Sequence, residues 1–262
     1  MFFKTPPPFY THNKMQTPLE YLSSIESEFK QFKKNVWISP DLSTASPIFR
    51  YTSFENLLSI LNGCIYIPKR RSFSDRREQG EYQSDEIRGI QAENILTPKR
   101  NEIKRQYNNA FKLSTSFPVS CWTLNENESY LMWRAYTPNS LGVRLGTTIE
   151  SFIDAIQINA CQKIYCSSIH YGEEKYPTAP IDILFYKDIG YCMESEVRFY
   201  VVDDAPNDCE AKKPYFYINE RQLLKSVTLS PFIRARDRNE LYKLITSSNE
   251  WLDIDRSEII EY

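Results

Sequence analysis

Glycine is scarce, at 7 of 262 residues, and those present form neither a G-x-G-x-x-G run nor a Walker sequence, so a glycine-rich phosphate cradle is excluded. Histidine is scarcer still: His12 lies in the N-terminal segment and His170 in a strand-like stretch. A histidine-based zinc site needs more ligands than these. The 6 cysteines do not supply the rest, because no two form a C-x-x-C pair. A Ser-His-Asp triad has only His170 to draw on, with no nucleophile elbow beside it. No apolar run approaches a membrane span, and Met1 to Pro8 lack the apolar core of a signal peptide. A net charge of −2 argues against nucleic-acid binding through the overall field and leaves a local basic patch open. With cysteines set mostly among apolar residues, the expectation is a soluble cytoplasmic protein with no metal and no membrane partner.

What is present is enough for a core. Hydrophobic residues make up 41% and charged residues 25% of the chain, which is ordinary for a folded protein. The length fits a domain with an extension. Residues 1–46 read as a Pro-rich tail followed by an amphipathic helix. Thr17 and Glu20 form a capping box, and Leu22, Ile25, Phe29, Phe32 and Val36 recur at helical spacing over 17–35. That helix packs on the core or meets a partner protein. Residues 47–262 read as one α+β domain with a mixed, largely antiparallel β-sheet core, whole or split, and surrounding helices. Its strands are Ile48 to Tyr51, Cys64 to Ile67, Phe117 to Thr123, Leu141 to Gly146, Cys161 to Tyr171, Met193 to Val202, Pro214 to Ile218, Ser226 to Ser230 and Ile254 to Ile260. Its helices are Phe54 to Leu61, a helical pattern between Glu81 and Lys112, a short one around Leu131 to Tyr136, one capped by Thr147, turns over Ile181 to Lys187, and Arg236 to Ser247.

Four groups of residues invite chemistry. Arg50 sits on an otherwise apolar strand, which is costly unless its guanidinium meets an anion, either a ligand or one of the chain's own carboxylates. Strand alternation from Met193 to Val202 puts Glu194, Glu196, Arg198 and Tyr200 on one face, expected to line a cleft or an edge. Ser120 and Trp122 share one face of their strand, Cys121 and Thr123 the other. Lys69 to Arg77 includes Arg70, Arg71, Arg76 and Arg77, a solvated loop or a patch for phosphate or nucleic acid.

Several runs, in order from about residue 47 to the end, resemble a bacterial domain-of-unknown-function family, number 2971. They are Phe49 to Leu58, Ser120 to Thr123 with Glu128 to Tyr136, Met193 to Arg198, and Leu229 to Phe232 with Asp255 to Ser257. The loop Phe73 to Glu78 departs from that family, which often has Phe-Asn-Asp-Pro-Phe-Glu there. More loosely, Arg50, a middle-strand Ser and Glu194-x-Glu196 resemble the Arg, Ser, Glu-x-Glu layout of the ADP-ribosyltransferase superfamily. Ser120 is the choice for the Ser, and Ser114-Thr115-Ser116 is the rival.

The second resemblance implies an ADP-ribosyltransferase-like fold and NAD as co-substrate. Glu196 would stabilise the oxocarbenium-like sugar and Glu194 would orient or deprotonate an acceptor. Arg50 would meet the diphosphate and Ser120 the ribose, Tyr51 or Trp133 would stack on nicotinamide, and Arg198 would complete the site. It implies an NAD-consuming transferase or glycohydrolase, of the kind found in bacterial toxins and anti-phage defence, acting on a protein or nucleic-acid acceptor. Two alternatives stand beside it: a nucleotide- or peptide-binding signalling module without turnover in which Arg198 pairs with Glu194, and an RNA- or DNA-acting protein that uses the basic loop.

Overall fold

The computed structural model describes residues 25–73, 114–137, 141–172, 182–203 and 215–259, which leaves the helical pattern between Glu81 and Lys112 outside the described residues. Its first elements correct the sequence reading. After a 3-10 turn at Glu26–Glu28, the chain forms two strands, β1 (Lys30–Lys33) and β2 (Val36–Ile38), paired antiparallel through a turn where Asn35 has φ 64°. The described part of 17–35 is therefore a hairpin, not the amphipathic helix offered to a partner. The residues that seemed to share one helical stripe are buried apart: Ile25 and Phe29 join one hydrophobic cluster, while Val36, with Phe32 against it, joins another. Asparagine tolerates the left-handed region that such a turn demands.

β3 (Pro47–Ser53) leads into α1 (Phe54–Leu61), whose N-cap Ser53 accepts from the Asn56 N–H. Phe54, Leu57 and Ile60 form the buried stripe of α1, and Gly63 at φ 78° ends it before β4 (Cys64–Tyr66). β5 (Val119–Thr123), α2 (Tyr130–Tyr136) and β6 (Gly142–Thr148) follow. α3 (Ile149–Ala155) is capped by Thr148, one residue beyond the predicted cap, because Thr147 is buried in β6.

β7 (Gln162–Ser168), β8 (His170–Gly172), α4 (Asp182–Phe185) and β9 (Tyr186–Asp188) lead to a 3-10 segment, Ile189–Glu194. β10 (Glu196–Asp203), β11 (Tyr215–Tyr217), α5 (Glu220–Leu223), β12 (Ser226–Leu229), α6 (Ala235–Ser248) and β13 (Asp253–Arg256) complete the fold.

Nine strands form one sheet in the order β1-β2-β7-β10-β5-β3-β6-β12-β13. Pairing is antiparallel except between β2 and β7 and between β12 and β13. The protein is thus α+β with a mixed, largely antiparallel sheet. One face carries Val197, Phe199, Trp122, Ile48, Leu145 and Val227, and α1, α3, α5 and α6 bury Leu57, Phe152, Leu223 and Ile245 against it. The other face carries Tyr165, Tyr200 and Val119, under Phe29, Leu184 and Phe185. Among the described residues no helix is long and apolar enough to cross a membrane.

Candidate functional site

The sheet opens between β3 and β5. These strands share one register pair, Phe49 with Thr123. Beyond it β3 continues beside β6, β5 continues beside β10, and the freed edge of β5 takes the Pro68 carbonyl through the Val119 N–H at 2.9 Å. A cavity of about 900 Å³ lies at this opening. Its size falls within the range of about 300–1,000 Å³ usual for ligand pockets. Arg50, Cys121, Tyr136, Lys187, Glu194 and Glu196 all line it.

Alternation gives these residues an unexpected geometry. Glu196 is paired in register with Thr123, and Arg198 with Cys121, so these four share a face. Arg50 lies opposite Leu145, on the other face with Ser120 and Trp122. Cation and acids therefore start on opposite sides of the sheet and reach one hollow because the sheet parts between them.

Arg50 Nη1 donates to Ser120 Oγ at 3.2 Å, and among the described residues its guanidinium has no carboxylate partner. Burial pushes its pKa down, opposed by the nearby Cys121. Such a cation gains from an anion brought into the cavity. Ser120 is fully buried and accepts from Arg50 and from Trp122 Nε1 at 2.9 Å, so it positions Arg50 in this structure and is not part of the cavity wall.

The acids form a compact ionic cluster. Arg198 grips Glu196 with two bonds, Nε to Oε1 at 2.8 Å and Nη2 to Oε2 at 3.2 Å, and donates to the Leu184 carbonyl. Lys187 Nζ lies 2.6 Å from Glu194 Oε2 and 3.2 Å from Glu196 Oε2. Tyr136 donates its hydroxyl to Glu194 Oε1 at 3.0 Å, and the Glu196 N–H donates to Tyr171 Oη at 2.7 Å. Burial alone would raise Glu196. The charges of Arg198 and Lys187, with hydrogen bonds from Arg198 and Cys121, overcome this and bring it down to about 2. Arg198 pairs with Glu196, not with Glu194 as the binding-module reading had it.

Glu194 is not on the strand. It ends the 3-10 segment, and Ser195, at φ 43°, turns the chain into β10 so that both glutamates meet Lys187. Tyr51 lines the cavity, and its hydroxyl accepts from the Ser129 N–H at 2.9 Å. Trp133 has 0% exposure and packs edge-on to Tyr51 with centroids 4.8 Å apart, behind the wall, and does not line this cavity. Arg70 is 3% exposed and donates to Ser114 Oγ at 3.3 Å, so it faces inward and fronts no phosphate patch. The Arg71 side chain and all of Arg76 and Arg77 lie outside the described residues. His170 is exposed on β8.

No protein-family model matches the chain, and no curated protein is similar to it. The likeness to family 2971 thus rests on its motifs alone. Among solved structures, that of Thermus sp. 2.9 DarT in complex with ADP-ribosylated ssDNA is similar over 84% of this chain and 95% of that one, with 11% identity and a TM-score of 0.35. A likeness at that level carries no argument about what this chain does.

Sequence reasoning missed Lys187, Tyr191 and Tyr171, which come from short elements with no motif, and gave Tyr136 no role although it ends a motif run. Cys121 had a signal: alternation placed it opposite Ser120, and the register with Arg198 puts it beside the acids. Among the described residues no three His, Cys, Asp or Glu side chains are grouped to hold a metal ion.

Proposed function

We propose that the cavity binds NAD and that the chain cleaves the bond between nicotinamide and ribose, as an ADP-ribosyltransferase-like enzyme or an NAD glycohydrolase. The observation that supports this is one hollow shared by a pair of glutamates and a guanidinium that meets no carboxylate among the described residues. Arg50 meets the diphosphate. As the C1′–nitrogen bond breaks, its electron pair leaves with nicotinamide and positive charge grows on the ribose, where ionised Glu196 stabilises it. C1′ then bonds to the acceptor or to water, and Glu194 takes the proton released. A nucleic-acid or protein acceptor fits this reading equally.

The test is nicotinamide release from NAD by the full chain, with and without candidate acceptors. Wild type releases nicotinamide, while Glu196→Gln and Arg50→Ala, shown folded by their melting curves, do not. Release at equal rates by wild type and folded Glu196→Gln rejects the proposal. A second reading draws support from the ion pairs that engage both oxygens of Glu196: a module that holds a nucleotide without turning it over. There NAD raises the melting temperature and stays intact.

A further inference from the structure

Lys187 stands on β9, outside the large sheet. β8 and β9 form their own parallel pair, with Tyr171 opposite Lys187 in register. This small sheet delivers two groups to the acid pair at once: the Tyr171 hydroxyl, which accepts from the Glu196 N–H, and the Lys187 ammonium, which touches both carboxylates. The Lys187 side chain is 10% exposed, and its ammonium lies 4.5 Å from the Tyr191 ring centroid. Burial on that scale strengthens each charge interaction it makes.

The two acids depend on Lys187 unequally. Glu196 also has the two bonds from Arg198. Glu194 has Lys187 and, on its other oxygen, the neutral Tyr136 hydroxyl. Two carboxylates brought to one point in a shielded cavity repel, and one of them takes up a proton unless a cation stands between them. Ser195, held in the left-handed region, is what brings them to that point. Among the described residues, the charged and titratable groups facing the pair are Arg198 on β10, Cys121 on β5, Tyr136 on α2, Tyr171 on β8, Tyr191 in the 3-10 segment and Arg50 across the cavity. Of the cations, Lys187 alone among these touches both acids.

We infer that Lys187 is the positioning residue of the acid pair: its ammonium, in contact with one carboxylate oxygen of each, holds Glu194 and Glu196 side by side. This rests on the NAD-cleaving reading for its consequence, since an oxocarbenium-stabilising Glu196 and a proton-accepting Glu194 must be charged together. The geometry of the clamp stands apart from that reading. Lys187 itself touches neither substrate nor acceptor in this scheme.

Two measurements on the full chain test it. In the first, the side-chain carboxyl carbons of Glu194 and Glu196, assigned with Glu194→Gln and Glu196→Gln, are titrated by NMR in wild type, Lys187→Met and Lys187→Arg. In the methionine variant the pair takes up a shared proton at a pH higher by about one unit or more, and the arginine variant restores the wild-type titration. An unchanged titration in Lys187→Met overturns the inference, as does failure of a folded Lys187→Arg to restore it.

The second measurement is nicotinamide release against pH. Loss of the clamp moves the acid limb upward, so at a pH below both limbs Lys187→Met loses about tenfold for each unit of displacement and recovers at higher pH. A release profile that does not move in Lys187→Met sinks the inference and leaves the enzyme. No release by wild type, together with the expected titration, sinks the enzyme and leaves the clamp.

Discussion

Burial would protonate Glu196, and two cations prevent it. Its carboxyl is held at about 2, below the ordinary 4.5. A carboxylate depressed in the folded state stabilises the fold fully above its unfolded value. That contribution fades as pH falls from 4.5 toward 2, because the unfolded chain binds the proton first. Melting temperature measured from pH 7 down to pH 3 should therefore fall more steeply in wild type than in Glu196→Gln, whose curve lacks a component on the order of 3 kcal/mol. At pH 7 the same variant leaves Arg198, with 0% exposure, facing a neutral amide, and should lose roughly 3 kcal/mol. Parallel acid profiles would reject the role given to the ion pair. Ser195, with φ 43°, is a second site of local cost, since a left-handed residue with a β-carbon is disfavoured by roughly 1–2 kcal/mol. Replacing it with Gly should leave urea stability equal or higher, whereas Val, branched at Cβ, should lower it by roughly 1–2 kcal/mol. A loss in Ser195→Gly equal to that in Ser195→Val would show that the turn is not the constraint.

Short elements were legible in the sequence where one residue type dictates the backbone, and illegible where tertiary pairing decides. The helix Phe54 to Leu61 forms as read, because the cap at Ser53 and the positive φ at Gly63 are local demands at its two ends. The stretch 29–36 misled, since Phe29, Phe32 and Val36 keep helical spacing by coincidence while packing into separate clusters. Only the turn at Lys34 and Asn35 breaks the tie. Asn35 holds φ 64° and its Nδ2 donates to the Ala160 carbonyl at 3.1 Å, tying the hairpin to the loop before β7. Asn35→Ala should cost about 1–2 kcal/mol in chemical denaturation, and Asn35→Gly should recover the backbone part of that. Equal stability of Asn35→Ala and wild type would mean the turn does not hold β1 on β2. In the centre, the helix around Leu131 was legible from its apolar residues, but its anchor was not. Glu128 accepts from Trp133 Nε1 at 2.9 Å, from Ser257 Oγ at 2.6 Å and from the Glu258 N–H at 3.0 Å. It thereby ties α2 to the segment after β13, a contact spanning half the chain that no local pattern reveals.

At the scale of the whole molecule, the strand list was largely readable, but the parting of β3 from β5 was not. Residue patterns show which face a side chain takes, not where a neighbouring strand leaves. Arg50 and Glu196, on opposite faces, become neighbours of one hollow only through that gap. A thiol in the gap offers a direct probe of whether a ligand enters it. Cys121 lines the cavity and is half-buried, Cys161 and Cys192 are exposed, and Cys166 is buried with its thiol pushed up by that burial. An alkylating reagent consumes thiolate and needs access, so Cys161 and Cys192 should label first, Cys121 more slowly, and Cys166 last. On the proposed reading, NAD at a saturating concentration fills the gap. It should slow labelling of Cys121 several-fold while leaving Cys161 and Cys192 unchanged, as peptide mapping by mass spectrometry would read. Glu196→Gln should retain some of that protection if Arg50 holds the diphosphate, whereas Arg50→Ala should lose most of it. If NAD leaves the Cys121 rate untouched in wild type, the opening in the sheet is not where a dinucleotide binds, and both acid-pair chemistry and nucleotide binding must be withdrawn from this cavity.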